Sequence, residues 1–377
     1  MRAYFLGAGA SRQDSYPLTS ELKHGIAWAV LHERGRFADL AAHLRRLYNV
    51  DETVLAENAD TWDALRRRTG TARGQDASPA GGGPSGVNRM PDVTDWLSTL
   101  DWMIREQSSF GPGRDTSGPS RLSLMAQLTQ VRDLVVQALC VSLGSYDHGD
   151  GAEAPARSAA MRFMDLVQPD DLLITTNWDL LLDTARDERF GTGAEDYGTG
   201  PTNVVVAHAR ANPDTRRPRL LKLHGSLSWR YCPRCQRLVI DPRNHVAGDR
   251  SVGPTCDCAY PFSELIVTPG FVREYRNVHL LTIWREALFA LASAEEWVFI
   301  GYSLPPDDVG IRALLLRARC IGEDVLEARA GKLPAVTIVA GPDRQVVHSR
   351  FRGIVPEPVL YDGDFGAYVA EHAAPAL

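Results

Sequence analysis

Four cysteines lie close together in the sequence, with the spacing of a metal site. Cys232-Pro233-Arg234-Cys235 and Cys256-Asp257-Cys258 are joined by residues 236–255. Four thiolates on two short loops form the tetrahedral ligand set of a structural zinc ion, which leaves no open position for water. The alternative is disulfide pairing, which clustered cysteines favour less in a chain without a secretion signal. We therefore predict that Cys232, Cys235, Cys256 and Cys258 bind structural Zn²⁺, although the second pair is one residue tighter than Cys-x-x-Cys.

An asparagine, an aspartate and a histidine follow two apolar runs that predict buried strands. Asn177 and Asp179 come after residues 172–175, and His224 comes after residues 220–223. Histidine can act as a general base near neutral pH. An asparagine amide can orient a hydroxyl or a water, and an aspartate can accept a hydrogen bond from an amide or a ribose. The alternatives are a structural histidine and helix capping by Asn177 or Asp179.

Two glycine-containing turns follow two further apolar runs. Gly7-Ala8-Gly9-Ala10-Ser11 follows residues 3–6, and Gly301-Tyr302-Ser303 follows residues 297–300. Glycine lets the backbone bend sharply and approach a ligand, and a helix N-terminus behind such a turn suits a phosphate or pyrophosphate. The first turn lacks the third glycine of Gly-x-Gly-x-x-Gly, so a tight strand–helix turn without a ligand is the alternative.

The strands that precede these turns predict a doubly wound α/β sheet. Continuous apolar runs are typical of parallel strands covered on both faces, and predicted helices at 179–188, 279–294 and 309–321 alternate with them. Ligand sites in such sheets gather at the carboxyl ends of the strands. The runs lie at residues 172–175, 204–206, 220–223, 265–267, 297–300 and 336–339, and the first strand joins the same sheet.

A long helical region separates the first predicted strand from the others. Residues 25–168 show helical periodicity and almost no strand pattern, with helices at 37–48, 93–107 and 122–143 and flexible loops at 70–91 and 111–119. We therefore predict a Rossmann-like domain of residues 1–24 and 169–377, a helical insertion of residues 25–168, and a cysteine module at 229–262 inserted in the Rossmann-like domain.

The position of this insertion disfavours a conventional NAD dehydrogenase. A dehydrogenase of the Rossmann type reaches its second strand, with the acidic residue for the ribose, about 20 residues after the glycines. Here the next convincing strand begins only at residue 172.

Composition and charge narrow the class of protein. The 377 residues are 44% hydrophobic and 23% charged, as in soluble globular proteins. A formal net charge of -6 argues against a sequence-independent nucleic-acid coat. No apolar run is long enough to span a membrane, and the N-terminus enters the first strand without room for a signal peptide. We therefore expect a cytoplasmic protein.

Five motifs, taken in order, resemble those of the sirtuin superfamily. Gly7-Ala8-Gly9-Ala10-Ser11 resembles its Gly-Ala-Gly-x-Ser loop, and Thr176-Asn177-Trp178-Asp179 resembles its Gln-Asn-Ile-Asp motif. Leu223-His224-Gly225-Ser226 is similar to the segment with the sirtuin catalytic histidine. The four cysteines follow, and Gly301-Tyr302-Ser303 resembles the Gly-Thr-Ser turn. The similarity covers about residues 3–17 and 172–343.

This resemblance implies a Rossmann-like domain that binds NAD as its substrate, with structural Zn²⁺ in a small module. It implies catalytic roles for Asn177, His224 and Asp179, with His224 as the base and the other two facing the nicotinamide ribose and carboxamide. It also implies that NAD is bound by Gly7, Ala8, Gly9, Ser11, Thr176, Gly301 and Ser303.

Two departures from deacylating sirtuins concern the peptide substrate. Arg12-Gln13-Asp14-Ser15-Tyr16-Pro17-Leu18-Thr19 stands in place of a Gly-Ile-Pro-Asp-Phe-Arg segment. Val267-Thr268-Pro269-Gly270 stands in place of the Phe-Gly-Glu strand to which an acyl-lysine peptide adds. Pro269 has no backbone donor for strand addition.

The first turn followed by Pro17-Leu18-Thr19, with Gly301-Tyr302-Ser303-Leu304-Pro305 late in the chain, is more similar to bacterial sirtuin-like domains of anti-phage defence systems. Those domains resemble NAD hydrolases that deplete the cofactor. We therefore expect an NAD glycohydrolase that produces nicotinamide and ADP-ribose. The alternatives are an NAD-dependent protein-lysine deacylase and a non-catalytic module that binds NAD or ADP-ribose. As partners we expect a second copy of the chain or a defence protein such as an ATPase, and neither a membrane nor nucleic acid.

Overall fold

The structure is a computed structural model, and its residues divide into two compact units. One unit comprises residues 1–16, 153–267 and 275–377, and the other comprises residues 17–152 and 268–274. The predicted loop at 111–119, and the one at 70–91 up to residue 88, lie outside the described residues. The described residues are 1–67, 89–106, 121–147, 158–200, 203–207, 216–244, 255–269, 277–327, 333–341, 343–355 and 357–372.

Among the described residues, ten strands form two sheets, and all of them lie in the first unit. In chain order they are β1 (Arg2–Leu6), β2 (Leu172–Thr175), β3 (Val204–Val206), β4 (Arg219–Lys222), β5 (Gly225–Tyr231), β6 (Leu238–Ile240), β7 (Ser263–Ile266), β8 (Glu296–Ile300), β9 (Ala335–Val339) and β10 (Val359–Leu360).

The larger sheet has six parallel strands in the order β10-β9-β8-β1-β2-β4. Its central strands are buried on both faces, as their continuous apolar sequences require, and Tyr4, Phe5 and Phe299 are among the buried side chains. The predicted α/β class, with a parallel sheet, is confirmed. Strand order reverses between β1 and β8, because the chain builds outward from β1 on one side and from β8 on the other.

Two apolar runs predicted for this sheet belong to a second one. Residues 204–206 (β3) and the run at 265–267, observed as β7, lie in a four-stranded sheet of order β3-β6-β5-β7. Here β5 is antiparallel to both β6 and β7. Strands β5 and β6 were not predicted. Strand β6 is apolar but lies in the predicted cysteine module of residues 229–262, and β5 has no continuous apolar run. Its buried side chains Leu227 and Trp229 instead alternate with polar residues.

The first unit also contains helices. They are α1 (Ala8–Ser11), α7 (Ala159–Phe163), α8 (Leu181–Phe190), α9 (Val278–Ser293), α10 (Val309–Glu327), α11 (Arg344–Arg352) and α12 (Phe365–His372). The side chain of Asn277 accepts a hydrogen bond from the backbone N–H of His279 and so caps α9. The predicted helices at 179–188, 279–294 and 309–321 are confirmed, with α8 beginning two residues later than predicted.

The second unit is helical. It contains α2 (Leu22–His32), α3 (Ala38–Tyr48), α4 (Glu52–Arg66), α5 (Val93–Glu106) and α6 (Arg121–Asp147). Helix α2 packs on α4 and α6. This close packing requires a glycine, since a Cβ on Gly25 would lie 2.7 Å from the buried Trp62 ring. No helix among the residues described is long and apolar enough to cross a membrane.

Candidate active site at the carboxyl end of the six-stranded sheet

Four neighbouring strands end at the same edge of the larger sheet. In their register, Leu6 of β1 pairs with Ile300 of β8 on one side and Thr175 of β2 on the other. Thr175 in turn pairs with Lys222 of β4. The four turns singled out in the sequence, at residues 7–11, 176–179, 223–226 and 301–303, therefore follow four adjacent strand ends. This edge includes the point where strand order reverses, which is where open α/β sheets bind ligands.

The two glycine turns pack directly on each other. The N–H of Gly9 donates to Gly301 O at 2.9 Å, and the N–H of Gly7 donates to Ile300 O at 3.0 Å. A Cβ on Gly7 would lie 2.7 Å from Gly301 O, and one on Gly301 would lie 2.1 Å from Ala10 N. Gly301 also has a φ of 60°, in the left-handed region. These glycines are therefore required by the contact between the two turns, whether or not a ligand is bound.

Ser11, Asn177 and Asp179 form one hydrogen-bond network across the first two turns. The Asn177 Nδ2 group donates to Gly7 O at 3.0 Å and to Ser11 Oγ at 2.8 Å. Ser11 Oγ donates its proton to Asp179 Oδ2 at 2.8 Å. A carbonyl oxygen can only accept, so the contact with Gly7 O fixes which end of the amide is nitrogen. Both amide hydrogens of Asn177 are thereby used, and Oδ1 is the polar atom left for a ligand or water.

Asp179 belongs to the candidate site and also stabilises the start of a helix, the two roles that its sequence position suggests. Its Oδ1 accepts from the N–H of Leu181, the first residue of α8, so it also stabilises the helix start. Only 9% of Asp179 is exposed, and burial raises the pKa of its carboxyl group. The nearby Lys222 ammonium and the hydrogen bonds from Ser11 and Leu181 act in the opposite direction without cancelling this effect.

Thr175 is a site-forming residue that the sequence analysis missed. Its Oγ1 donates to Leu6 O at 2.8 Å and accepts from the N–H of Asn177 at 3.0 Å. The hydroxyl thus joins the end of β1 to the start of the second turn, beside the half-buried Thr176. The available signal was a hydroxyl as the last residue of an otherwise apolar strand.

His224 lies at the junction between the two sheets. It follows β4, is 8% exposed, and its backbone carbonyl accepts from the N–H of Val267 at 2.8 Å. The next residue, Gly225, has a φ of 76°, and a Cβ there would lie 1.8 Å from Leu265 O. Glycine is therefore needed for the chain to leave the parallel sheet and begin β5, which places the histidine at the strand end.

The turn after β8 is held by two arginines. The Arg350 guanidinium donates to Ser303 O at 3.0 Å, and that of Arg312 donates to Leu304 O at 2.8 Å. Leu304 has a φ of 47°, a left-handed conformation that is unusual for a large side chain. The Ser303 side chain is exposed at this edge.

The four cysteine thiols come together as a second, separate cluster. All their Sγ atoms lie within 4.8 Å of one another, and the pairs Cys232–Cys258 and Cys235–Cys256 are 3.5 Å apart. Four thiolates around zinc, each with a Zn–S bond of about 2.3 Å, would be about 3.8 Å apart. None of these cysteines forms a disulfide. The donor set therefore fits a tetrahedral zinc ion.

The two cysteine loops have similar backbone geometry. The N–H of Gln236 donates to Cys232 O, and the N–H of Ala259 donates to Cys256 O, each at 2.8 Å, while both donor residues have positive φ. Burial opposes ionisation of the Cys232 thiol. Hydrogen bonds from backbone N–H groups of Cys235 and Arg234 outweigh it and lower the pKa of this thiol to about 7. In the same loop, a backbone hydrogen bond from Arg237 lowers the pKa of the Cys235 thiol, but burial and the neighbouring thiols outweigh it and raise this pKa to about 11. The loop therefore favours the thiolate at Cys232 only.

Comparison with known proteins finds a matching family. A family model described as a SIR2-like domain matches residues 171–345. Residues 171–345 therefore form a SIR2-like domain, as the five motifs predicted. Comparison with curated proteins finds no match.

Solved structures that resemble this SIR2-like protein include sirtuins. A crystal structure of a Sir2 homologue–NAD complex aligns with 99% of this chain and 87% of its own, at 13% identity and a TM-score of 0.42. A structure on the basis of sirtuin substrate affinity aligns with 56% of this chain and 68% of its own, at 18% identity and a TM-score of 0.30. A mutant Sir2 homologue–ADP-ribose complex aligns with 57% and 64%, at 17% identity and a TM-score of 0.32.

Contacts in this SIR2-like protein join most of the residues singled out in the sequence. Direct hydrogen bonds or backbone packing connect Gly7, Gly9, Ser11, Asn177, Asp179 and Gly301, and Ala8 lies between the two glycines of the first turn. His224 is brought to the same edge by the pairing of β4 with β2. NAD binding is expected of a sirtuin fold, and the four cysteines are positioned to bind zinc.

Proposed function

We propose that this protein is an NAD glycohydrolase, which cleaves NAD to nicotinamide and ADP-ribose. The observation that carries the proposal is the Ser11–Asn177–Asp179 network at the carboxyl end of the sheet in a SIR2-like protein. The network leaves Asn177 Oδ1 as an acceptor of fixed orientation. An acceptor at this edge can hold a water molecule by one of its protons, so that the water oxygen faces the substrate.

The only reactants of the proposed reaction are NAD and water. The bond between nicotinamide nitrogen and the anomeric carbon breaks, and neutral nicotinamide leaves with the electron pair. The oxygen of a water held by Asn177 forms the new bond to that carbon. His224 accepts the proton that this water loses, directly or through a ribose hydroxyl. Asp179, through Ser11, keeps the Asn177 amide in place.

The remaining residues would hold the dinucleotide. The N–H groups of Gly7, Gly9 and Gly301 already donate to Ile300 O, Gly301 O and Val339 O. These glycines would therefore serve by letting the pyrophosphate approach the backbone closely at the strand-order reversal, and Ala8 at the start of α1 would supply an N–H. Thr176 and the exposed Ser303 would flank the pyrophosphate on either side. The proton of Ser11 is already donated to Asp179, so Ser11 contributes to binding only as an acceptor or through the network. Zinc at the four cysteines, Cys232, Cys235, Cys256 and Cys258, would be structural, since all four positions of a tetrahedral ion are filled.

The region after β7 favours hydrolysis over peptide deacylation. The N–H of Val267 is already used by the carbonyl of His224. Two residues later, Pro269 has no N–H to offer. A peptide that adds as a strand needs such donors in succession. The chain therefore offers little for backbone pairing at the position where a deacylase would bind acyl-lysine peptide.

We further propose that NAD cleavage serves NAD depletion in bacterial anti-phage defence, with a second copy of the chain or an ATPase-like partner controlling it. This proposal is supported by the similarity of the two glycine turns and of Pro17-Leu18-Thr19 to such defence domains. Expression of the active protein in bacteria should then lower cellular NAD, whereas expression of a variant without Asn177 should not.

Incubation of the full chain with NAD alone, followed by chromatography of nicotinamide and ADP-ribose, tests the activity. We expect Asn177→Ala and His224→Ala to lower the rate by about 100-fold or more. Asn244→Ala, which changes an exposed asparagine far along the chain, serves as a matched control. A zinc-loaded protein that binds NAD but never releases nicotinamide would contradict the proposal. Cleavage only in the presence of an acyl-lysine peptide would identify a deacylase. A cellular effect that survives both substitutions would point to a non-catalytic module.

A further inference from the structure

A buried lysine donates a hydrogen bond to the backbone of the candidate site. Lys222 is the last residue of β4, and its Nζ donates to Asp179 O at 2.5 Å and to Asp183 Oδ2 at 2.6 Å. The hydroxyl of Tyr197 donates to Asp183 Oδ1 at 2.9 Å. The side chains of Lys222 and Asp183 are 1% and 0% exposed. One ammonium group thus joins β4, the turn at 176–179 and the first turn of α8.

The stability of the fold does not by itself call for this ion pair. Moving an ammonium and a carboxylate out of water costs several kcal/mol per ion, and apolar residues of similar size often stabilise such a position equally well. An apolar residue at position 222 could fill the space but could not donate to Asp179 O. The feature that distinguishes Lys222 from a packing residue is therefore its bond to the turn.

We propose that Lys222 and Asp183 are positioning residues, which hold the turn of Asn177 and Asp179 in the orientation required for NAD cleavage. The inference rests on the proposed function. Lys222 fixes the backbone of Asp179, Asp179 accepts from Ser11, and Ser11 accepts from Asn177. The ion pair thus reaches the Asn177 amide through one backbone carbonyl and two side-chain hydrogen bonds.

A second buried ion pair on the same helix offers an internal comparison. Arg186 Nη2 lies 2.6 Å from Asp196 Oδ2, and their side chains are 0% and 4% exposed. The polar partners of Arg186 all lie between residues 191 and 218: Gly191, Thr192, Asp196 and Pro218. Asp196 also pairs with Arg217. This pair has the burial and distance of the Lys222 pair, but it is directed away from the turn at 176–179.

The charge of Lys222 also affects the protonation of Asp179, which an apolar residue at position 222 would not do. The Asp179 carboxylate faces the Ser11 hydroxyl from α1, the Leu181 N–H and the Asp183 carboxylate from α8, and the Lys222 ammonium from β4. Of these, Lys222 lowers the pKa of Asp179 and Asp183 raises it. Loss of the ammonium therefore favours protonation of Asp179, and the acid limb of a rate that needs the carboxylate moves to higher pH.

The test uses a double variant that carries both Lys222→Met and Asp183→Asn, so that no lone buried charge remains. The control is Arg186→Met, in which Asp196 still pairs with Arg217. Hydrogen exchange in the full-length, zinc-loaded protein reads the backbone of residues 176–182 without any need for catalysis. We expect the double variant to exchange about tenfold faster there, with kcat for nicotinamide release about tenfold lower. Its acid limb should still move to higher pH, because Lys222 affects the pKa of Asp179 more than Asp183 does in the opposite direction. We expect Arg186→Met to show none of these changes.

Lys222→Gln, again combined with Asp183→Asn, separates the two contributions and serves if the variant with methionine does not fold. It keeps a donor for Asp179 O but no charge, so exchange protection should recover while the pH limb stays shifted. Wild-type exchange and turnover in both Lys222 variants would overturn the proposal, as would equal effects in Arg186→Met. If the wild-type protein releases no nicotinamide, the proposed function fails, and the exchange rates alone decide whether Lys222 positions the turn.

Discussion

The turns at the carboxyl end of the six-stranded sheet and the four-cysteine cluster both gather polar side chains, but by different means. In the first region, Asn177 contacts Ser11 across 166 residues of chain, and every connection is a hydrogen bond made by the protein itself. In the second, all four cysteines lie between residues 232 and 258, and their sulfur atoms lie close together without forming disulfides. The first region is held by strand register, and we expect the second to require an ion that neutralises and holds the thiolates.

This difference predicts which region depends on metal. Substitution of Cys256 and Cys258 together by serine should abolish zinc binding, since apparent binding free energies of structural zinc are on the order of 10 kcal/mol. The zinc content of the purified protein should fall from one ion per chain to none, and proteolysis should begin between residues 232 and 262. Cys320→Ser, in an exposed cysteine of α10, is the matched control. A cluster that stays protease-resistant without metal would remove the contrast between the two regions.

The contact between the glycine turns should be sensitive to a single methyl group. Gly301→Ala places a Cβ against Ala10 N and forces a left-handed φ, so we expect about 3 kcal/mol or more of lost stability. Gly341→Ala is the control, because a Cβ there meets nothing within 4 Å, and it should change stability by less than about 0.5 kcal/mol. Urea unfolding of both variants at saturating zinc measures the difference, and similar midpoints would show that the turns do not depend on this packing.

The hydroxyl of Thr175 tests whether strand ends position the turn. Thr175→Val keeps the shape of the side chain but leaves Leu6 O and the Asn177 N–H without this partner. We expect a loss of about 1–3 kcal/mol and slower NAD cleavage, measured by urea unfolding and nicotinamide release. Unchanged cleavage by a destabilised variant would separate the fold of this edge from its proposed activity.

The smallest expected effect concerns the charge of Asp179. Burial raises the pKa of this carboxyl in the folded protein, so the folded state binds the proton more tightly than the unfolded state. Its contribution to stability is therefore complete below the unfolded pKa, near 3.9, and is lost as pH rises through the folded value. Asp179→Asn should remove this loss and raise stability near pH 7, while lowering NAD cleavage.

Unfolding free energies of wild type and Asp179→Asn, measured from pH 4 to pH 8, should diverge as pH rises. Parallel curves would show that the carboxylate is adequately compensated by Lys222, Ser11 and Leu181. A divergence would instead show that a residue of the candidate site destabilises the fold. No such cost is expected of the cysteine cluster, where a bound ion would neutralise the thiolates.

Much of this organisation could be predicted from local sequence. Apolar runs ending in glycine, asparagine or histidine predicted the parallel strands and the edge at which the turns meet. The runs at 204–206 and 265–267 were assigned to the wrong sheet, because an apolar run indicates burial but not the partner strand. Strand β5 was missed, since its alternation of Leu227 and Trp229 with polar residues is short and lies beside the cysteines.

The sequence by itself determined the SIR2-like motifs, the order of the turns and the cysteine cluster, because each depends on residue types within a few positions of one another. Only the tertiary structure decided that Gly301 packs on the first turn and that the Asn177 amide leaves Oδ1 as the atom for a ligand. It also decided that Lys222 donates to the backbone of Asp179. These contacts depend on which strands become neighbours. Pairing of Leu6 with both Thr175 and Ile300 spans most of the chain and leaves no mark in the local pattern.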